Sequence, residues 1–164
     1  NLDSGPIMKQ IKGRIHDSDT SEEISNNLSK IGSEVIVNIL DEIFEDKSKF
    51  IDQDHKLATY AKKIKKNEAR IDWTESAKKI LAKINGLNPA PGAWFIFKEA
   101  RYKIWRAKVF EKVGTPSKIL DNNFIIGCGD KSIEIIEIQK EGKNRLPLKI
   151  FLKGANFKQG DELK

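Results

Sequence analysis

Apolar positions follow a helical spacing early in the chain and short, nearly alternating runs later. Ile24, Leu28, Ile31, Val35, Ile39 and Ile43 recur every three or four residues, which puts one stripe on a helix from Thr20 to Ile43. Thr20 followed by Glu23 has the form of a capping box at its start. Gly32 interrupts the helix at a cost of about 1 kcal/mol against alanine. Before it, residues 7–15 partly alternate and predict a short strand. A strand leading into a helix suits the closing piece of an α/β unit.

A second helix is expected from Thr74 to Leu87, with Thr74 or Asp72 as cap and Ala77, Ile80, Leu81 and Ile84 facing inward. Asn88-Pro89-Ala90-Pro91-Gly92 ends it. Strands are expected over residues 94–97, 102–110, 117–120, 124–128, 133–139 and 148–152, separated by turn signals such as Asn122-Asn123, Gly129-Asp130 and Glu141-Gly142-Lys143. This spacing argues for a small barrel or sandwich.

Charge divides the chain. Residues 1–43 hold four bases against eight acids, and residues 44–164 hold 26 bases against 16 acids. The net charge of +6 therefore arises wholly in the later part, which is suited to polyanions. Lys62, Lys63, Lys65 and Lys66 fall within five positions, followed by Arg70. If this run were helical, Lys62, Lys65 and Lys66 would share a face.

Cys128 is the one cysteine, so no internal disulfide can form, and a reducing cytoplasmic setting is expected. It lies between two glycines in an apolar run and reads as a small core residue. No run has the roughly 18 apolar residues of a membrane span. No Cys or His pair stands at metal-ligand spacing, and no phosphate-binding glycine loop is present. The chain starts Asn1-Leu2-Asp3 and its one methionine is Met8, so a missing upstream part is suspected.

Several motifs carry a family resemblance. Asp3-Ser4-Gly5, entering the apolar run, resembles the catalytic aspartate loop of folate-dependent formyltransferases. Ala58-Thr59-Tyr60-Ala61-Lys62-Lys63-Ile64 and Ala69-Arg70-Ile71-Asp72-Trp73 resemble the linker of methionyl-tRNA formyltransferases. Asn88-Pro89, Pro91-Gly92-Ala93-Trp94 and Tyr102-Lys103-Ile104-Trp105-Arg106-Ala107 resemble the start of their C-terminal domain, and Gly129-Asp130 and Gln139-Lys140-Glu141-Gly142-Lys143 its later strands.

The resemblance implies an α+β chain: the tail of an α/β, Rossmann-like formyltransferase domain over residues 1–50, a basic linker over 51–72, and a small OB-like β-barrel domain with an N-terminal helix over 73–164. It implies formyl transfer from 10-formyltetrahydrofolate to the amino group of methionyl initiator tRNA. Asp3 would be catalytic, and Lys62, Lys63, Lys65, Lys66 and Arg70 would face tRNA. Lys78, Lys79, Lys83, Lys98, Arg101, Lys103, Arg106 and Lys108 could extend that surface. Trp94, Phe95, Phe97, Tyr102, Trp105 and Phe110 are candidates for base stacking, though core packing is expected of most. Trp73 is expected to anchor one domain on the other.

The family's Asn-x-His motif is absent here, and His16 and His55 read as surface residues, so the chain alone is expected to be inactive. Most of the folate site is expected upstream. A monomer without metal is expected. The alternatives are a sugar-nucleotide formyltransferase and a non-catalytic tRNA-binding module.

Overall fold

The computed structural model describes residues 3–164. They group into two units. Unit 1 comprises the described residues up to His16 with Glu23–Lys63, and unit 2 comprises Asp17–Glu22 with Ile64–Lys164.

Unit 1 contains most of α1, Ser21–Phe44. The stripe read from the sequence is present, with Ile24, Ile31, Val35 and Ile39 half-buried. Leu28, Ile43 and Phe44 are exposed, and no residue of the helix is fully buried. The strand expected over 7–15 is not formed. Only Ile7 pairs, exchanging both backbone bonds with Ile51 at 2.8 and 2.9 Å. A strand persists by sharing its hydrogen bonds with a neighbour, and the residues after Ile7 have no ladder partner among the described residues.

Unit 2 holds the core. α2, Ala77–Gly86, buries Ala77, Ile80 and Ile84, as its spacing predicts. Its cap is neither Thr74 nor Asp72 but Ser76, whose hydroxyl accepts from the Lys79 N–H at 3.3 Å. Asp72 is engaged one turn earlier, accepting from the Thr74 N–H at 2.9 Å and its hydroxyl at 2.6 Å.

The sheet comprises β1 (Ala93–Phe97), β2 (Ala100–Phe110), β3 (Ile125–Gly127), β4 (Ser132–Lys140) and β5 (Leu146–Pro147). It is antiparallel in the order β1-β2-β4-β3, with β5 also paired to β4. Along β1 the burial alternates, so Ala93, Phe95 and Phe97 enter the core while Trp94 and Ile96 look outward. Phe95, Tyr102, Ile104, Ile133 and Ile138 pack with α2 and with Phe124 into one cluster.

Two expected strands differ. Residues 148–152 form one helical turn, α3 (Leu148–Phe151), directly after Pro147, which has no N–H to continue a ladder. Residues 117–120 make only isolated bridges.

The antiparallel sheet of the expected OB-like domain is present, and its ladder is open between β1 and β3. Isolated contacts span the gap between its edges. Ile126 bridges to Ile119, Lys118 to Glu162, and Lys164 exchanges backbone bonds with Ile96 at 2.5 and 2.8 Å.

Residues 17–22 are fastened to the end of α2. The Asn85 amide donates to the Asp17 carbonyl at 2.8 Å, and the Asn88 carbonyl receives the Ser21 hydroxyl at 2.5 Å. Asn88 is itself buried, and its amide donates to the Trp105 carbonyl at 2.8 Å. The Asn-Pro motif is thereby a three-way tie between α2, β2 and the start of α1.

Candidate nucleic-acid interface

The linker cations do not share a helical face. Lys62, Lys63 and Lys65 lie in irregular backbone and Lys66 opens a single 3-10 turn, Lys66–Ala69. Lys62 and Lys63 belong to unit 1, whereas Lys65, Lys66 and Arg70 belong to unit 2. All five are exposed. Four lysines within five residues disfavour helix by mutual repulsion, which leaves them in water on an open strand of chain.

In unit 2 the outward side of β1 and β2 forms a second basic surface. Trp94 stands opposite Lys103, and Arg101, Lys103 and Trp105 alternate along β2. The Arg70 and Arg101 guanidiniums lie over the Trp94 ring at 5.9 and 4.4 Å from its centroid. Lys103 and Arg145 lie over the Trp105 ring at 5.4 and 5.3 Å. Both indole N–H groups are satisfied: Trp94 donates to the Lys66 carbonyl at 3.1 Å and Trp105 to Gln139 Oε1 at 3.0 Å.

The cations of unit 2 differ in their partners. Lys108, Lys112, Lys118, Lys131 and Arg145 pair with Glu134, Asp121, Glu162, Glu111 and Glu137. Among the described residues, Arg70, Arg101 and Lys103 have no carboxylate within ion-pair distance.

Of the other aromatics named from sequence, Phe95, Phe97 and Tyr102 are buried and unavailable to a ligand, while Phe110 is partly exposed. Trp73, expected between domains, packs inside unit 2, edge-on to Phe95 at 5.8 Å. The contribution of Arg145 was not read from sequence. It joins Trp105 only through the fold, being 40 residues downstream with no periodic signal.

Asp3 lies in unit 1 with a left-handed φ of 58°. The Gln53 amide donates to the carbonyls of Asp3 and Gly5 at 3.0 and 2.6 Å, tying the loop to residues 52–57. Asp3, His55, Thr59 and Tyr60 line one cleft of unit 1. His55, read from sequence as a surface residue, is exposed there.

Gly129-Asp130 and Cys128 serve the frame. A β-carbon on Gly129 would meet the Thr74 carbonyl oxygen at 2.2 Å. Asp130 accepts from the N–H groups of Ala77 at 2.8 Å and Lys131 at 2.6 Å, bonds that hold its carboxyl below the usual carboxylate range. Burial, with Asp130 nearby, pushes the Cys128 thiol up to about 12. Among the described residues no helix is long and apolar enough to cross a membrane.

Known proteins resemble this chain throughout. Methionyl-tRNA formyltransferase of Pelagibacter ubique is 45% identical over 163 residues, covering 99% of this chain and 53% of that protein. The enzyme of the same name from Bradyrhizobium diazoefficiens is 37% identical, covering 97% of this chain and 52% of its own length. The chain thus spans about half the length of these curated relatives. Among solved structures, HypX from Aquifex aeolicus in complex with tetrahydrofolic acid superposes with a TM-score of 0.71 at 19% identity, over 100% of this chain and 32% of that one, a likeness of fold. The family described as formyl transferase, C-terminal domain, matches residues 63–156. The chain belongs to the formyl transferase C-terminal domain family.

Proposed function

We propose that this chain is the C-terminal portion of a methionyl-tRNA formyltransferase, which moves a formyl group from 10-formyltetrahydrofolate to the amino group of methionyl initiator tRNA. The observation that carries the reading is the chain-long likeness to proteins of that name at 45% and 37% identity. The unpaired cations support it over a sugar-nucleotide formyltransferase, because a small diphosphate substrate does not call for a basic surface outside the reaction centre.

In this reading Asp3 orients a proton-carrying partner or water as the methionyl amine attacks the formyl carbon. The Gln53 bonds to the Asp3 and Gly5 carbonyls fix the loop while leaving the Asp3 carboxylate exposed to the cleft. The oxygen of the tetrahedral intermediate requires hydrogen-bond donors, and the Asn-x-His pair that resembling proteins use is not in this sequence. The 164-residue chain alone is expected to transfer no formyl group.

Lys62, Lys63, Lys65, Lys66 and Arg70 form the tRNA-facing rim, contacting phosphates and positioning the acceptor arm without reading bases. The barrel reading is supported by the bridges from Ile126 through Ile119 and residues 162–164 to Ile96, which continue the sheet's hydrogen bonding across its gap. The organisation proposed is a catalytic-domain tail over 1–50, a linker over 51–72 and an OB-like domain over 73–164.

The test is a hybrid in which this chain replaces the matching half of the Pelagibacter ubique relative. Formylation of methionyl initiator tRNA, lost in Asp3→Ala, is expected. A hybrid that folds and formylates an amino-sugar nucleotide instead would overturn the reading.

A further inference from the structure

The outward face of β1 and β2 carries two tryptophans, the residue type on which single-stranded bases commonly stack. Here the rings already carry cations. Trp105 is 8% exposed, and the Arg70, Arg101, Lys103 and Arg145 head groups lie over the two indoles. A cation over an aromatic face is attracted by the ring's quadrupole and loses rotamer freedom before any ligand arrives.

A cavity of about 240 Å³ is lined by Arg101, Lys103, Gln139, Glu141 and Gly142, two of which are the cations over Trp94 and Trp105. The Gln139 amide is partly engaged: its Oε1 accepts from Trp105, and one Nε2 hydrogen goes to the Lys143 carbonyl at 2.7 Å. Glu141 Oε1 is held by the Arg101 backbone N–H at 3.0 Å. Facing a ligand are the heads of Arg101 and Lys103, one Gln139 amide hydrogen and the second Glu141 oxygen, so two cations stand against one carboxylate and the balance favours an anion. Gly92, at a φ of 80°, backs this arrangement closely, since a β-carbon there would meet Lys103 Cδ at 3.0 Å and the Trp105 ring at 3.1 Å.

We propose that Trp94 and Trp105 are positioning residues that hold Arg70, Arg101 and Lys103 as a fixed row of cations, so that this face grips RNA phosphodiesters without reading bases. The proposal rests on the RNA-facing reading above. It deepens that reading by moving contact from the linker onto the sheet and by giving the aromatics a role other than stacking. Fixed guanidiniums lose less freedom on binding than free side chains, so each contact retains more of its electrostatic gain. Among the described residues these three have no carboxylate within ion-pair distance, which leaves their charge available.

The experiment measures binding of the 164-residue chain to initiator tRNA and to two homopolymer RNAs across a salt series, with inorganic phosphate as competitor. Arg101→Ala is expected to weaken binding and to reduce the salt slope by about one. Trp94→Leu is expected to weaken binding about fivefold per folded molecule with little change of slope, the factor that an exposed cation–ring contact supplies. Trp94→Phe keeps a ring but not the bond to the Lys66 carbonyl, and is expected to restore most of the affinity. Melting curves correct each value for the folded fraction.

Wild-type affinity in Trp94→Leu, with loss in Arg101→Ala, would overturn the positioning role and leave the RNA surface standing. Unchanged binding in both, with loss when Lys62, Lys63, Lys65 and Lys66 become alanine, would confine contact to the linker. A tenfold preference between homopolymers would restore base stacking and sink the proposal. So would displacement of RNA by low millimolar phosphate, the mark of a free-anion site. No binding of the unmodified chain at low salt would overturn it together with the linker surface.

Discussion

Asp130 accepts the first N–H of α2 from 53 residues away, and its carboxyl is held low chiefly by that bond and next by the Lys131 N–H. A carboxyl with a depressed folded pKa adds stability that is present above its ordinary value near 4 and is lost as pH falls through the folded value. Asp130→Asn is therefore expected to melt lower than the parent at pH 7, with the gap closing below about pH 4. Thermal melts across that range check this, and a gap independent of pH would assign the loss to packing instead. Cys128 makes a second case. With its thiol near 12, almost no thiolate exists at pH 8, and the thiolate is the reactive form. Alkylation by iodoacetamide is expected to be far slower in the folded chain than in urea, which mass spectrometry reads directly. At this scale the sequence was legible where a residue's own chemistry decided its place, as with Cys128. It was silent where a distant partner decided. Thr74, Asp72 and Ser76 are all acceptable caps, and the choice among them goes with Asp130, which fixes where the first helical N–H points.

Among elements, α2 and the β1–β2 hairpin show how local rules hold and where they strain. Ser76→Ala is expected to cost about 1 kcal/mol in urea unfolding, the usual worth of a helix cap. The hairpin turns on Lys98 and Glu99, both left-handed at φ 46° and 65°. Two-residue hairpins want that geometry, and glycine takes it without penalty. Glu99→Gly is expected to stabilise by about 0.5–1 kcal/mol, a gain that a raised urea midpoint would register. Periodicity made α1, β1, β2 and β4 legible, since each is long enough to repeat its pattern. It could not separate α3 from a strand. Residues 148–152 are too short to show a period, and Pro147 turns the chain out of the ladder. For the basic surface, the alternation of Arg101, Lys103 and Trp105 is visible in sequence, while Arg70 and Arg145 reach it only through folding.

At the scale of the whole molecule, stability is unevenly shared. Among the described residues every buried apolar side chain lies in unit 2, whereas α1 has none. Burial is the main source of cooperative stability, so unit 2 is expected to set the resistance to global unfolding. Hydrogen exchange should show β2 and β4 amides protected orders of magnitude longer than those of α1 beyond Glu22; equal protection would contradict this. The sequence foreshadowed the imbalance in part, through a helix stripe with no strand of comparable strength beside it.

The last residues carry a further consequence. Lys164 covers the outer backbone groups of Ile96, Asp161 receives the N–H of Ile119, and Leu163 donates to the Ser117 carbonyl. Bare edges of this kind are templates on which a second chain can add a strand. Losing residues 161–164 would uncover the β1 edge at Ile96 and the backbone of Ser117 and Ile119, which bridges to β3, and each is a place where a second chain can pair. The tail would then guard the protein against polymerisation, a failure that turbidity at rising concentration would reveal before any change in nucleic-acid binding.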